Sequence, residues 1–173
     1  VWLFSEGPRQ TPSLAGRKLG LTAPYHWGGE HPDFASFLEH TVGERMGGAG
    51  LSSEQQAQLL AFIDWMPAPD NPHALPVPSE AQVRGAHVFQ RAGCTECHAG
   101  ETLASDKNED VGTLVRYGRA PDTFDALNTP SLLGLAHTAP YLHDGSAPTL
   151  KARLLGDKAS NRHGQTAALT DAE

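Results

Sequence analysis

Apolar and polar positions follow helical spacing in three segments of the chain. In residues 51–66, Ser52 and Gln55 have the spacing of a capping box, and an apolar stripe follows until Pro67 ends the helix. We expect this stripe to pack in a core, including its methionine. Its members are Leu59, Phe62, Ile63 and Met66.

A second helix is predicted after residue 79, where Ser79 and Gln82 again have the spacing of a capping box. Gly93 has the position of a C-terminal cap, directly before a cysteine. The apolar face of this helix would consist of Val83, Ala86 and Phe89.

A third, shorter helix is predicted from Pro148–Thr149 onward, with Leu150 and Leu154 buried. No segment alternates apolar and polar residues for long enough to require a sheet. Glycine and proline number 18 and 13, so much of the backbone is expected to be loop. The pattern therefore predicts an all-α, loop-rich fold.

A proline-rich segment divides the chain. Residues 67–79 read PAPDNPHALPVPS, and five prolines in thirteen positions favour an extended, fairly stiff connector. We therefore predict one module at 1–66, a linker at 67–79 and a second module at 80–173.

The two modules share sequence. TPSLAG at 11–16 recurs as TPSLLG at 129–134, and TAPYHWGG at 22–29 recurs as TAPYLHDG at 138–145. ERMGGAGLSSE at 44–54 aligns with NRHGQTAALTDAE at 161–173 when small gaps are allowed. This self-similarity predicts a duplicated module. The first copy is expected to be incomplete, with its own cysteine motif upstream of residue 1.

Composition narrows the classes of partner. The 13 Lys and Arg residues are outnumbered by 20 Asp and Glu, and the net charge is −7. Because phosphate binding needs clustered basic side chains, nucleic acid is not expected as a partner. No apolar run approaches the roughly 18 residues of a membrane span. A cationic protein remains a suitable partner for an acidic surface.

The only two cysteines lie in Cys94-Thr95-Glu96-Cys97-His98. The spacing is typical of covalent haem attachment, with thioethers from Cys94 and Cys97 and axial ligation of iron by His98. A redox dithiol, a zinc site completed by distant histidines and a plain disulfide are the alternatives. Haem attachment is favoured, because a redox dithiol usually lies in a strand–turn–helix setting and a structural zinc site usually has a second pair of ligands.

The repeat suggests the second axial ligand. His163 occupies the place in the second copy that Met46 has in the first, and both side chains are good iron ligands. We predict His163 as distal ligand to the haem on His98, and Met46 as ligand to the haem of the first copy. His143 is the rival, but its counterpart Trp27 suggests a place at the haem edge instead. Histidines expected to be solvated are His31, His40, His73 and His87.

These segments resemble a known family. GCTECH, NTPSLLGLAHTAPYLHDGSAPTL and NRHG resemble the C-terminal half of the bacterial di-haem cytochrome c peroxidases and MauG proteins. GPRQTPSLAGRKLGLTAPYHWGG and RMGG resemble the half that precedes it. The resemblance implies a helical cytochrome c-type fold in each half, two haems facing each other across the domain interface, and export to the periplasm.

The resemblance also has departures. By alignment, Tyr25 stands where family peroxidases have a Gln, and Ser36 stands near the position of a catalytic Glu. His163 stands where MauG has a Tyr ligand. These differences favour electron transfer through a six-coordinate haem. The alternative is a hydrogen peroxide reductase whose second haem lies outside this chain.

The expected cofactor is therefore one covalent haem c in this chain, with a second in the parent protein. Trp27, Tyr25, Tyr141 and His143 are expected to line the haem or the interface between the halves, with ordinary core aromatics and a capped turn as the alternative. The expected partners are a small cytochrome or cupredoxin and the upstream haem segment of the same protein.

Overall fold

The computed structural model describes residues 1–4, 7–114, 125–157, 160–170 and 172–173. Within these ranges the chain is mostly helical and loop-rich, as the pattern predicted. The α-helices are α1 (Phe34–Leu38), α2 (Ser53–Trp65), α3 (Glu80–Arg91) and α4 (Leu150–Asp157). A π-helical segment, Glu39–Arg45, continues α1. Short 3₁₀ turns occupy Leu19–Leu21, Cys94–Glu96, Leu135–His137 and Thr166–Ala168.

Four short strands, which the pattern did not predict, form two antiparallel pairs. β1 (Trp2–Phe4) pairs with β2 (Gly7–Arg9), and Trp2 lies opposite Arg9. β3 (Asn108–Glu109) pairs with β4 (Leu127–Asn128), and Asn108 lies opposite Asn128. Strands of two or three residues are too short to show alternation, which explains why the pattern missed them.

Both predicted capping boxes are present. Ser52 accepts from the backbone N–H of Gln55 at the start of α2, and the Gln55 side chain accepts from the Ser52 N–H. Ser79 and Gln82 make the same reciprocal pair at the start of α3. These caps satisfy amide groups that a helix otherwise leaves unpaired, so they fix where each helix begins.

The first half, residues 1–66, has an apolar core. Its buried members are Tyr25, Phe34, Leu38 and Ile63, and Leu59 and Met66 pack against them. The prediction for Phe62 was wrong, because this ring is 56% exposed and lies beside Trp65 on the outer side of α2. Since neighbouring helical residues point about 100° apart, only one of Phe62 and Ile63 faces the core.

The second half, residues 80–173, buries less apolar surface in its helices. α4 forms where predicted, but Leu150 and Leu154 are 45% and 41% exposed, so their predicted burial was wrong. Val83 on α3 is 46% exposed. The buried side chains of this half are largely polar and lie in its loops.

Matching local geometry occurs in the two related segments. Tyr25 forms an isolated antiparallel bridge with His31, and Tyr141 forms one with Ala147. The Tyr25 hydroxyl donates to the Leu19 carbonyl at 3.0 Å, and the Tyr141 hydroxyl donates to the Leu135 carbonyl at 2.9 Å. A shared origin of the two segments and the module boundaries 1–66, 67–79 and 80–173 remain predictions.

Hydrogen bonds connect the two halves directly. The Asn128 amide N–H donates to the Trp27 carbonyl at 2.8 Å, and the Asn108 side-chain amide donates to the Gly28 carbonyl at 2.6 Å. The Gln10 N–H donates to the His143 carbonyl at 2.6 Å. These bonds hold the segment around Trp27 against the second half. Over the described ranges, no helix combines the length and apolar character that crossing a membrane requires.

Candidate functional site

The two cysteines lie in a tight turn at the end of α3. Gly93 adopts a left-handed conformation with φ of 76°, which ends the helix and starts the 3₁₀ turn Cys94–Glu96. The His98 N–H then donates to the Cys94 carbonyl at 2.9 Å. Cys94 and Cys97 are free thiols, each partly buried, and burial raises the pKa of both. The turn therefore presents two protonated thiols and one imidazole from five consecutive residues.

His98 is held in a defined orientation. Its side chain is buried, and its Nδ1–H donates to the Leu103 carbonyl at 3.0 Å. Burial lowers the pKa of the imidazole, so the neutral ring is favoured. With Nδ1 carrying the proton, Nε2 keeps a lone pair, which is the state that a metal-ligating histidine requires.

His163 lies across a gap from His98. The ring centroids are 6.2 Å apart, and the ring planes are inclined by 61°. Two metal–imidazole bonds of about 2 Å each place the ring centres about 6 Å apart. The structure therefore brings the predicted proximal and distal histidines to the separation that one metal atom between them requires.

Gly164 explains how the His163 segment reaches the cysteine turn. Its φ is +83°, and a Cβ at this position would lie 3.0 Å from the Ala92 carbonyl oxygen and 3.7 Å from Cys94 Sγ. The next residue, Gln165, donates its N–H to the same carbonyl at 2.8 Å. Glycine is favoured here by the left-handed backbone and by the close approach of the two segments.

A cleft opens beside these histidines and runs between the two halves. Its cavity volume is about 190 Å³, and the cleft is partly open to solvent. Six predicted site residues line it, namely Trp27, Cys97, His98, Tyr141, His143 and His163.

Trp27 and His143 form the contact between the halves at this cleft. Their ring centroids are 6.2 Å apart in an edge-to-face arrangement. The Trp27 indole N–H donates to the Gln10 carbonyl at 3.1 Å, and His143 is 1% exposed. Tyr141 has its hydroxyl committed to the Leu135 carbonyl. These three side chains therefore act as fixed walls of the cleft.

Two predicted site residues do not line the cleft. Cys94 lies in the adjoining turn, next to Gly164. Met46 follows the π-helical segment of the first half and is 73% exposed. The structure therefore does not bring Met46 together with the other site residues.

Three charged side chains also line the cleft and were missed by the sequence reasoning. They are Arg17, Glu109 and Arg153. Arg17 and Arg153 are buried, and Glu109 is exposed. Arg17 lies within the segment GPRQTPSLAGRKLGLTAPYHWGG, but nothing in the sequence indicates that its side chain becomes buried in the wall of a cleft.

Three histidines of the first half form a cluster that the sequence did not predict. The rings of His31 and His40 lie 4.9 Å apart, and His26 lies 5.7 Å from His31 and 6.0 Å from His40. Glu30 contacts His26 Nδ1 at 3.0 Å, and Glu44 contacts His40 Nδ1 at 2.8 Å. His31 and His40, which were expected to be solvated, are partly buried and partly exposed.

Tyr25 and Ser36, which were expected to stand at or near the positions of a Gln and a Glu in family peroxidases, make structural contacts. Tyr25 is buried in the core, with its hydroxyl bonded to Leu19. Ser36 lies in the first turn of α1, where its N–H donates to Asp33 Oδ1 and its hydroxyl donates to the Asp33 carbonyl. Neither hydroxyl is directed at the cleft by these bonds.

The donor set of the cleft fits a haem better than a bare metal ion. Within the part of the chain that the structure describes, no three His, Cys, Asp or Glu side chains are grouped to hold a metal ion. A haem needs only two protein axial ligands, because the porphyrin supplies the other four. The paired imidazoles match that requirement, and the two free thiols match covalent attachment of a porphyrin.

Comparison of the sequence with known proteins identifies relatives for part of the chain. MauG, the methylamine utilization protein of Methylophilus methylotrophus, is 36% identical over 84 residues, which is 42% of this chain and 25% of MauG. Cytochrome c551 peroxidase of Nitrosomonas europaea is 27% identical over 85 residues, again 42% of this chain and 25% of the relative. The match thus spans about a quarter of each curated relative. No family model matches the chain.

Solved structures share the fold over more of the chain. Hydrazine synthase of Kuenenia stuttgartiensis superposes with a TM-score of 0.69 at 22% identity, over 99% of this chain and 72% of its own. A MauG-like protein associated with microbial copper homeostasis has a TM-score of 0.63 at 22% identity, over 87% of this chain and 60% of its own. At this identity the likeness is one of fold.

Proposed function

We infer from the relationship of this chain to the di-haem cytochrome c peroxidase and MauG family that it binds one c-type haem and transfers single electrons. The observation that carries the proposal is the pairing of His98 and His163, whose ring centroids are 6.2 Å apart. His98 lies directly after the two free cysteines, so one turn can supply both covalent attachment and one axial ligand.

Each residue of the site has a role in this proposal. Cys94 and Cys97 would form thioethers with the vinyl groups of the porphyrin. His98 would ligate through Nε2, because its Nδ1–H is committed to the Leu103 carbonyl. His163 would ligate from the opposite face. When bound, the haem supplies one-electron chemistry between its ferric and ferrous states.

The surroundings favour electron transfer over chemistry at the metal. With His98 and His163 both ligating, the haem would have no open position for an incoming ligand. The Tyr141 hydroxyl and the Trp27 indole N–H are bonded to backbone carbonyls, so both side chains keep their rings against the cleft. Their role is to exclude water and hold the walls of the cleft. The function that best fits this arrangement is an electron carrier.

The proposed location and partners follow from the same chemistry. Haem attachment to a Cys-x-x-Cys-His motif and the family relationship favour the periplasm. A small cytochrome or cupredoxin is the proposed exchange partner, together with a second haem segment of the parent protein. The acidic balance of the chain, with a net charge of −7, favours a cationic partner surface.

Intact mass and absorption spectroscopy test the proposal. The protein expressed with the haem-attachment machinery should carry one covalent haem per copy of this chain. Its ferric spectrum should be low-spin and unchanged by cyanide. A haem-free product, or a zinc content of one per chain without a Soret band, would overturn the proposal.

His163→Ala tests the second axial ligand, with His87→Ala as the matched control. His87 is exposed on α3, so its loss should leave the spectrum unchanged. Loss of His163 should convert the ferric haem to a high-spin form that binds cyanide and returns to low spin with added imidazole. A low-spin His163→Ala spectrum identical to wild type would show that another residue ligates.

A hydrogen peroxide reductase is the second candidate, because one relative is a cytochrome c551 peroxidase. Such activity needs a haem with an open position, which would come from outside this chain. Within the chain, the hydroxyls of Tyr25 and Ser36 make structural hydrogen bonds, which argues against acid–base roles for them. Turnover of peroxide by the parent protein carrying both haems, with none by the singly loaded chain, would favour this candidate over the carrier.

A further inference from the structure

Arg17 is a buried cation in the wall of the cleft. It belongs to the first half, yet it lines the same cleft as His98 and His163. The residue is 8% exposed, and one terminal guanidinium nitrogen donates to the Ser131 carbonyl. Within the described residues, Arg17 Nε is buried and has no hydrogen-bond partner.

The charge of Arg17 is not balanced by the protein around it. A guanidinium stays protonated even when buried, and buried charges are normally paired with a carboxylate. Among the described residues, no carboxylate forms an ion pair with Arg17. Glu109 lines the cleft but is exposed to solvent. The cleft is therefore electropositive where Arg17 faces it.

We propose that Arg17 binds a carboxylate of the cofactor, namely a propionate of the haem held by Cys94, Cys97 and His98. This inference rests on the proposed function, and it adds a cofactor contact made from the first half to a haem attached to the second. Haem carries two propionate carboxylates, which are the anionic groups that an apolar cleft with an unbalanced guanidinium would accept. Arginine N–H groups match the geometry of a carboxylate and form strong charge-assisted bonds with it.

The contact has a consequence for the redox equilibrium. The ferric haem carries one more positive charge than the ferrous haem, so a fixed cation nearby favours the ferrous state. Arg17 should therefore raise the reduction potential. Because Arg17 is buried, its charge is screened less than an exposed charge would be.

Potentiometry and resonance Raman spectroscopy of the haem-loaded protein test the proposal. Arg17→Gln and Arg17→Met both remove the charge, and Arg17→Lys retains it. We expect the first two to shift the ferric–ferrous equilibrium constant about tenfold toward ferric, or about 59 mV for one electron. The propionate-bending Raman band should shift as well. Arg17→Lys should keep the potential closer to wild type.

Arg84→Gln is the matched control, since the Arg84 side chain is 70% exposed on α3 and its loss should change neither readout. If Arg17→Gln does not accumulate as a folded haem protein, Arg17→Met makes the same comparison. It removes the unpaired buried charge, so the fold should tolerate it. An unshifted propionate band in the charge-removing variants would overturn the proposal, whether or not the potential moves. A wild-type chain without haem would instead refute the proposed function itself.

Discussion

Replacing Trp27 with Phe should destabilise the protein measurably, whereas the same change at Trp65 should not. Trp27 contacts the second half through its edge-to-face arrangement with His143 at 6.2 Å, and its indole N–H donates to the Gln10 carbonyl of its own half at 3.1 Å. Trp65 is 75% exposed at the end of α2. The pair therefore compares one substitution in two environments.

The structure sets the size of the effect. Phenylalanine cannot donate a hydrogen bond, so the Gln10 carbonyl loses its partner, which costs about 1–3 kcal/mol when the group remains shielded from water. Part of the aromatic contact with His143, worth about 0.5–1.5 kcal/mol for an intact aromatic pair, is lost as well. Trp27 is only partly buried, so we expect a total near 2 kcal/mol. The change at Trp65 should stay within about 0.5 kcal/mol.

Thermal unfolding followed by circular dichroism is the measurement. For a chain of this length, about 1 kcal/mol corresponds to a change in Tm of about 2–4 °C. Trp27→Phe should lower Tm by about 4–8 °C, and Trp65→Phe by less than about 2 °C. Equal shifts for the two variants would refute the view that Trp27 holds the halves together.

Three further predictions follow from the fold. Ile63→Ala should cost about 2–5 kcal/mol in urea unfolding, because Ile63 is 5% exposed in the core of the first half, and a cost below about 1 kcal/mol would place it outside that core. Gly29→Ala should cost more than Gly50→Ala in the same assay. Both glycines have positive φ, but only at Gly29 would the added methyl group approach Asn108, at 2.8 Å. Equal losses of stability in the two variants would contradict that contact. Burial and two neighbouring histidines lower the pKa of His31 in the folded protein. As the pH falls below about 6.5, His31 is therefore protonated in the unfolded chain before it is protonated in the folded protein. Stability should therefore fall between pH 7.5 and 5.5, and His31→Gln should reduce that fall; an unchanged pH dependence would exclude His31 as a source.

The helices and their starts could be read from the sequence because their signals are local. Ser52 and Ser79 each form the capping box that their spacing predicted. The cysteine turn was equally local, since five consecutive residues define it. These features depend on contacts within four residues, so the rest of the fold has little influence on them.

Other features depend on contacts between distant segments and were missed. Phe62 and Ile63 are neighbours with similar side chains, and only the position of the first-half core decides which is buried. Arg17 becomes a cleft residue only when its segment packs near Ser131, more than a hundred positions away. The clustering of His26, His31 and His40 likewise depends on how α1 and its π-helical continuation pack beside the preceding loop.

The first half supplies part of the wall of the cleft, and this limits which segments can be exchanged with a related protein in a chimera. Gln10, Arg17 and Trp27 line a cleft whose cysteine turn and paired histidines belong to the second half. A chimera that joined only residues 80–173 to the first half of a related protein would keep the cysteine turn and the paired histidines. It would replace the part of the cleft wall that the first half of this chain supplies. Transferring the complete cleft between related chains therefore requires moving the first-half residues that line it together with the second half.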